Sequence, residues 1–221
     1  MGSLLAFDCS GASCSAAVLS DGRTAAERFA GMERGQAEAL LPMIRDVMAE
    51  AGLGWEALDA IATTVGPGSF TGVRLGLSAG RGLALASDRP ILALTAFEAL
   101  AAGLTPDERP VAIVIDSRRG PVFAQRFDAR LHPVGEPGQI EPEAMAAWLG
   151  AGPWRIAGDG VANLADMSFS ADILLEPEIR RIRAGELARA ALALGRAGIG
   201  RLAAHPLYLR APDVSLPKPR G

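Results

Sequence analysis

The sequence predicts an α/β protein of two duplicated lobes, because one local pattern occurs twice in the chain. In the first copy, an apolar, strand-like run over 4–7 ends at Asp8, and a glycine-containing turn leads into a second run over 13–20. The same layout returns later, where an apolar run over 111–116 ends in an aspartate and a glycine turn precedes a run over 122–127. A repeated layout of strand, aspartate, turn and strand indicates two related lobes.

A polar segment over 105–110, which ends in proline, separates the two copies. We therefore predict an N-terminal α/β lobe over 1–104 and a smaller C-terminal α/β lobe over 105–221. A chain of 221 residues is long enough for one large domain or two small ones, with ample hydrophobic core.

The first lobe is predicted to continue with a hairpin turn at Asp21-Gly22 and a third strand over 24–29. Apolar residues at helical spacing predict a helix over 36–51, which glycines end. An apolar run over 58–65 contains several β-branched residues and predicts the next strand.

Three further elements complete the predicted first lobe. A helix is expected over 72–86, and a strand follows over 91–94. Thr95 and Glu98 form a capping-box pattern, so we expect a short helix over 96–102.

In the second lobe, we expect a helix near 141–149, a strand over 154–157 that runs into the turn at 158–160, and a helix over 186–197. The glycine turn is either an ordinary turn or a second loop that faces a phosphate. Residues 179–210 contain seven arginines and one acidic residue. Such a segment is either a solvated helix face or a surface that touches RNA, because arginine binds phosphate bidentately.

The composition favours a folded globular protein in the cytoplasm, without a membrane-spanning segment or a metal site. Hydrophobic residues make up 49% of the chain, but no apolar run approaches the ~18–20 residues that a membrane span needs. Cys9 and Cys14 are expected to be small buried side chains, and His132 and His205, the only histidines, have no metal-binding spacing. The net charge of −3 excludes a generally basic nucleic-acid binder, but it allows a local basic patch.

A glycine-rich loop lies between the predicted strand over 58–65 and the following helix. Its candidate anion-binding residues are Gly66, Gly68, Ser69, Thr71 and Gly72. A helix N-terminus offers N–H groups and partial positive charge, so the loop is a candidate anion cradle. Alternatively, Ser69 or Thr71 caps the helix, which requires no ligand.

Asp8, with Ser10 beside it, is the second part of the candidate nucleotide or anion site. The carboxylate follows the first strand and could face a phosphate or a metal-bound nucleotide. The alternative is an Asx-turn, in which Asp8 accepts a hydrogen bond from its own backbone. Both interpretations remain open.

The predicted helix over 72–86 carries Gly72, Gly76 and Gly80 on one face. Each glycine costs roughly 0.5–1 kcal/mol relative to alanine inside a helix. Close packing against another element would offset this cost, and that element lies either in the same chain or in a partner protein.

The loop over 66–74 closely resembles the hallmark of the TsaB (YeaZ-like) family of tRNA threonylcarbamoyladenosine biosynthesis proteins. Supporting stretches occur in the family's order over nearly the whole chain, at 5–10, 40–44, 115–118 and 206–210. The resemblance implies an actin/Hsp70/sugar-kinase-like (ASKHA) fold of two duplicated α/β lobes. It also implies a non-catalytic protein, with no catalytic residues, no metal and no cofactor of its own.

The resemblance further implies partners. A TsaD-like catalytic subunit would transfer the threonylcarbamoyl group to the adenosine next to the anticodon, and a TsaE-like ATPase subunit would join the assembly. The chain would meet tRNA, and any ATP or ADP, at the level of this complex, and it would form a homodimer when alone. Residues 36–38 lack the histidine that many relatives carry there, which makes metal catalysis less expected still.

We expect the helices over 36–51 and 72–86 to form the partner interface. A partner helix would lie over the glycine face, and the predicted interface residues are Leu40, Leu41, Ile44, Val73, Gly76, Leu77 and Gly80. The alternative function is a small-molecule kinase or phosphotransferase of the ASKHA class that uses Asp8 and the glycine loops.

Overall fold

The computed structural model describes residues 2–176 and 180–210 as ten strands, five α-helices and short 3₁₀ turns. The strands are β1 (Ser3–Asp8), β2 (Ser13–Ser20), β3 (Arg23–Gly31), β4 (Ala60–Thr64), β5 (Ile91–Leu94), β6 (Val111–Asp116), β7 (Val122–Phe127), β8 (Pro133–Ile140), β9 (Trp154–Ala157) and β10 (Ile173–Leu175). The helices are α1 (Gln36–Ala51), α2 (Phe70–Ser87), α3 (Ala96–Ala101), α4 (Met145–Leu149) and α5 (Ala184–Leu194). None of the helices in the described ranges is long and apolar enough to cross a membrane.

The strands form two five-stranded sheets with the same topology. The first has the order β3-β2-β1-β4-β5 and the second has the order β10-β9-β6-β7-β8. In each sheet the central strand, β1 or β6, is antiparallel to the next strand in the chain and parallel to β4 or β9. The predicted duplication is therefore confirmed, and it extends over whole sheets.

Two strands were not predicted. The sequence of β8 contains prolines and glycines, which strands rarely tolerate, but β8 lies at a sheet edge and pairs with β7 alone. β10 has only three residues, too few to show an alternating pattern. Helix α2 begins two residues earlier than expected, because Ser69 is its N-cap, and α5 spans 184–194 instead of 186–197.

The predicted division at 104/105 separates the two sheets, but the chain does not stay in the second lobe afterwards. Helix α5 packs against β1 and β2 of the first sheet. The hydroxyl of Ser15 donates to the Ile182 carbonyl (3.0 Å), and the Gly185 N–H donates to Glu27 (3.1 Å). The assignment of all of 105–221 to the second lobe is thus corrected, and 211–221 lies outside the described residues.

The glycine face of α2 points into its own lobe, so the prediction of a partner helix over Gly76 and Gly80 is corrected. A Cβ at Gly76 would lie 3.5 Å from the Cys9 sulfur, and a Cβ at Gly80 would lie 3.0 Å from Ile91 Cδ1 and 3.3 Å from Thr63 Cγ2. The sheet therefore occupies the place where we expected the partner. The glycines let α2 approach it closely, which is the internal alternative.

Most of the other predicted interface residues are also buried within the lobe. Buried within the lobe are Leu40, Ile44, Val73 and Leu77. Only Leu41 is exposed, at 55%. Apolar side chains at helical spacing were expected on one shared face, but a helix buries that face against its own sheet first.

Gly80→Leu should lower the free energy of unfolding by about 3 kcal/mol, because the added side chain overpacks the helix–sheet contact. Gly82 is the matched control, since it lies on the same helix and a Cβ there meets no atom within 4 Å. Gly82→Leu should raise stability by about 0.5–1 kcal/mol through helix propensity. Urea unfolding measures both, and equal stability of the two variants would contradict this packing.

Candidate functional site

The glycine loop joins β4 to α2 and is held by its own hydrogen bonds. The Ser69 hydroxyl accepts from the Gly72 N–H (3.0 Å), and the Ser69 N–H donates to the Ser10 carbonyl (2.7 Å). The Val73 N–H donates to the Ser69 carbonyl (3.0 Å). Ser69 is therefore a helix cap, which is the ligand-free alternative from the sequence.

The glycines of this loop allow close backbone contact. A Cβ at Gly68 would lie against the Ser10 carbonyl, and one at Gly72 would collide with the Cys9 carbonyl. Gly66 has a φ of 97°, which favours glycine, and a Cβ there would meet the Leu207 carbonyl at 3.3 Å. The loop thus packs between the β1–β2 turn and the C-terminal part of the chain.

Asp8 lies at the end of β1 and is 1% exposed. One carboxylate oxygen accepts from the Thr64 hydroxyl (2.5 Å), and the other accepts from the Ser10 N–H (3.2 Å). Burial raises the pKa of this carboxyl above its usual value, although hydrogen bonds from Thr64 and Ser10 act in the opposite direction. The Asx-turn expected as an alternative is present.

The second lobe repeats this arrangement. Asp116 at the end of β6 accepts from the Arg118 N–H (2.7 Å), as Asp8 accepts from Ser10, and also from the Asn163 amide (3.0 Å). The Asp116 N–H in turn donates to Asp159 (3.0 Å). A Cβ at Gly158 would collide with the Val114 carbonyl, so this turn also packs closely on its strand.

Asp159 is the most clearly titratable group of this arrangement. Burial raises its pKa to about 6, and the nearby charge of Asp116 acts in the same direction, whereas the hydrogen bond from the Asp116 N–H lowers it. The positive charges of Arg118 and Arg181 also lower it. Asp159 therefore keeps its proton to a higher pH than an ordinary aspartate.

Both aspartate turns line one cleft between the lobes. From the first lobe the cleft is lined by Asp8, Ser10, Gly68 and Ser69, and from the second by Asp116, Ser117, Arg118 and Asp159, with Arg180 and Arg181 of the segment before α5. Its volume is about 50 Å³. Pockets for drug-sized ligands usually measure about 300–1,000 Å³, so this cleft is several times smaller than such pockets.

A second pocket, of about 330 Å³, lies between the N-termini of α1 and α2. Its lining includes Ser69, Thr71 and Gly72 together with Gln36 and Arg118. The Arg118 guanidinium forms an ion pair with Glu33 (2.8 Å), which connects the two lobes across this pocket. Six of the seven candidate anion-binding residues thus line one or both pockets, and Gly66 is the exception.

The sequence-based list of site residues missed Asp116, Arg118, Asp159 and the arginines at 180–181. The repeated strand–aspartate pattern could have identified Asp116, since Asp8 was already a candidate. The arginines could not be found in this way, because they enter the cleft only when α5 returns to the first lobe.

The described residues also contain side chains of metal-ligating types and free thiols. Within 2–176 and 180–210, no group of three or more His, Cys, Asp or Glu side chains is placed to hold a metal ion. Cys9 and Cys14 are free and buried as expected. Burial raises the pKa of both thiols, that of Cys14 to about 11.

Comparison with known proteins shows which family the chain resembles. The family model described as "TsaD: tRNA N6-adenosine threonylcarbamoyltransferase" matches residues 27–172. The protein described as tRNA threonylcarbamoyladenosine biosynthesis protein TsaB from Haemophilus influenzae is 41% identical over 124 residues, which cover 54% of this chain and 51% of that protein. The solved structure of YeaZ from Pseudomonas aeruginosa is 32% identical, with a TM-score of 0.82, and covers 95% of this chain and 100% of that one.

The chain belongs to the TsaB (YeaZ-like) family, because it is more than 30% identical to YeaZ over the whole of that chain. The matched stretch spans about half the length of the H. influenzae TsaB, whereas the YeaZ match spans nearly all of this chain. The family resemblance of the glycine loop is confirmed.

A more distant structure supports the fold alone. The activator of the 2-hydroxyisocaproyl-CoA dehydratase from Clostridium difficile, solved with bound ADPNP, has a TM-score of 0.50 at 10% identity and covers 88% of this chain and 95% of that one. With the two matching α/β lobes, this likeness confirms the ASKHA fold for this TsaB-family chain.

Ser69→Ala should lower the free energy of unfolding by about 1 kcal/mol, because it removes the cap of α2. Ser69→Asp should keep stability close to the wild type, since aspartate is also a good cap, while it places negative charge where an anion would bind. Urea unfolding with and without inorganic phosphate checks this. A loss in Ser69→Ala that occurs only with phosphate would favour the anion cradle over the cap.

Asp159→Asn should become more stable relative to the wild type as the pH rises. The pKa of Asp159 is about 6 in the folded chain and near 3.8 for an unperturbed aspartate. As the pH rises from the lower to the higher value, the cost of ionising the buried carboxyl progressively destabilises the fold, and this loss of stability is complete above the higher value. The difference in unfolding free energy should grow by about 2 kcal/mol, allowing for partial exposure. A difference that stays constant from pH 4 to pH 7 in urea titrations, roughly the range of the shift, would contradict this environment.

Proposed function

We propose that this chain is a non-catalytic subunit of the assembly that makes N6-threonylcarbamoyladenosine in tRNA. A TsaD-like subunit would carry out the threonylcarbamoyl transfer to the adenosine next to the anticodon. Membership of the TsaB family supports the pathway. The observation that supports a non-catalytic role is the interlobe cleft, where Asp8 and Asp116 are both held by hydrogen bonds within the chain.

The state of these aspartates argues against a catalytic role for them. Asp8 is buried, and its two oxygens accept hydrogen bonds from Thr64 and Ser10, so contacts within the chain hold the carboxylate in place and use about half of its acceptor sites. His132 is exposed, pairs with Asp128 at 3.3 Å and is not among the residues that line the cleft. We therefore assign the chain a structural role in the assembly.

The kinase or phosphotransferase alternative is not favoured. The interlobe cleft of about 50 Å³ is too small for a nucleoside triphosphate, and the second pocket, of about 330 Å³, is lined by neither Asp8 nor Asp116, which the kinase interpretation needs. The only lysine, Lys218, lies outside the described residues, and the glycine loop caps a helix instead of following the P-loop pattern.

The partners and ligands that we propose rest on membership of the TsaB family. The chain needs no cofactor of its own, and ATP or ADP is bound at the level of the complex, which a TsaE-like ATPase subunit joins. Transfer RNA is met through that complex, in the cytoplasm. Without its partner, the chain forms a homodimer through the outer side of α1 and α2.

The proposed partner surface is the outer side of α1 and α2, not the glycine face. Each helix exposes a leucine there: Leu41 of α1 is 55% exposed and Leu85 of α2 is 86% exposed. Exposed leucine side chains add little to the stability of a monomer, but they contribute to the free energy of association when a second pair of helices covers them. This retains the two helices that the sequence suggested and changes the face that they present.

The test is reconstitution from purified chain, TsaD-like and TsaE-like subunits, tRNA, threonine, bicarbonate and ATP. Modified adenosine should form only when this chain is present. Leu41→Arg should abolish co-elution with the catalytic subunit and lower product formation at least tenfold, because it places a charge in an apolar contact.

Leu174→Arg is the matched control, since Leu174 is 47% exposed on β10 of the second lobe. It should co-elute and support modification like the wild type. Modification without this chain would refute the proposed function, whereas normal assembly of Leu41→Arg would refute only the proposed surface.

A further inference from the structure

Phe70 and Tyr208 form an exposed aromatic pair outside both pockets. Phe70 is 53% exposed and Tyr208 is 46% exposed. Their ring centroids lie 5.7 Å apart with the planes inclined by 23°. Large aromatic rings are rarely left in solvent together, so this pair is a candidate recognition surface.

Arg74 fixes this pair. Its guanidinium lies 3.7 Å from the centroid of the Phe70 ring, and its Nε donates to the Tyr208 hydroxyl (2.8 Å). The side chains are therefore ordered before any ligand arrives, which lowers the entropic cost of binding.

The two stretches of chain that carry these rings contain basic residues but no acidic ones. The rings belong to α2 and to residues 201–210, which we call the returning segment because it packs back onto the first lobe. Together these two stretches contain four arginines and no acidic residue, although the whole chain has a net charge of −3. Arg201 forms an ion pair with Glu98 (2.8 Å) from α3, whereas Arg81 and Arg210 have neutral hydrogen-bond partners at Ala204, Gln139 and Ser117.

The returning segment is held by a backbone hydrogen bond to the residue that follows β4 and by apolar contacts with α2. The Leu207 N–H donates to the Val65 carbonyl (2.7 Å). Leu202, Ala204 and Leu207 pack on the small core that contains Val73 and Leu77. Phe70, Arg74 and Tyr208 contact one another, and Arg81 reaches the returning segment at the Ala204 carbonyl. We call these side chains, together with Arg201 and Arg210 of the returning segment, the basic aromatic face.

We propose that the basic aromatic face binds unpaired nucleotides of RNA. Arginines attract the phosphate backbone, and exposed aromatic rings and guanidinium planes are the groups on which unstacked bases stack. A purely apolar partner would not explain the excess of arginine. The choice of RNA over DNA rests on the proposed role in tRNA modification, while the face itself does not depend on it.

The test measures fluorescence anisotropy of a labelled, unstructured oligoribonucleotide and of a tRNA transcript. Both the chain alone and its complex with the catalytic subunit are titrated at several salt concentrations. Phe70→Ala should weaken binding about tenfold, the loss expected for one stacked base. Arg74→Gln should reduce the slope of log affinity against log salt by about 0.7, as one phosphate contact is lost.

The chain offers a matched control for both variants. Phe29 on β3 is 37% exposed, and the Arg183 guanidinium lies 4.9 Å from its ring centroid, but Glu27 lies 3.7 Å from that arginine. Phe29→Ala and Arg183→Gln should therefore leave RNA affinity and salt slope unchanged. Urea unfolding of each variant checks that the fold is retained, and Phe70→Leu provides a second variant of similar size.

Three results would overturn the inference. These are no RNA binding by either the chain or the complex at low salt, equal RNA affinity of Phe70→Ala and Phe29→Ala, and loss of co-elution with the catalytic subunit in Phe70→Ala while RNA affinity is retained. The last result would make the face a protein-docking surface. Failure of the reconstitution assay with RNA binding intact would instead refute the proposed function alone.

Discussion

The close contact between the glycine loop and the β1–β2 turn determines most of what this protein presents to its surroundings. The Ser69 N–H bonds to the Ser10 carbonyl, and Gly68 and Gly72 lie against the Ser10 and Cys9 carbonyls with no room for a Cβ. Because the backbones of the loop and the turn are in direct contact there, α2 begins next to the end of β1. Its glycine face can then pack on the sheet, and Phe70 is left at the surface.

The second lobe uses the same device for its own aspartate. Gly158 approaches the Val114 carbonyl of β6 as Gly72 approaches the carbonyl that follows β1. Each glycine turn thereby closes over a strand end that carries an Asx-turn, at Asp8 in one lobe and at Asp116 in the other. Both strand ends are thus closed by the same local turn, and both carry a carboxylate into the cleft between the lobes.

The return of the chain to the first lobe after β10 joins the two halves. Helix α5 packs on β1 and β2, and the returning segment packs on α2 through Leu207 and its neighbours. The same return brings Arg180 and Arg181 into the cleft and Tyr208 onto Phe70. The proposed RNA surface therefore exists only in the folded chain, since its two halves are far apart in the sequence.

Sequence alone determined the local elements, because strand pattern, helical spacing and capping residues act over a few neighbours: the bounds of α1, β5, β6, β7 and β9 agree with expectation. It also determined the duplication and the family, since the strand–aspartate repeat and the glycine loop are each formed by residues that are consecutive in the chain. Only the tertiary structure decided which face of α2 is covered, that Ser69 caps while Asp8 closes a turn, and which lobe receives α5. These outcomes depend on contacts between distant residues, where the burial of one face against a sheet competes with exposure to a partner, and no local pattern distinguishes the two.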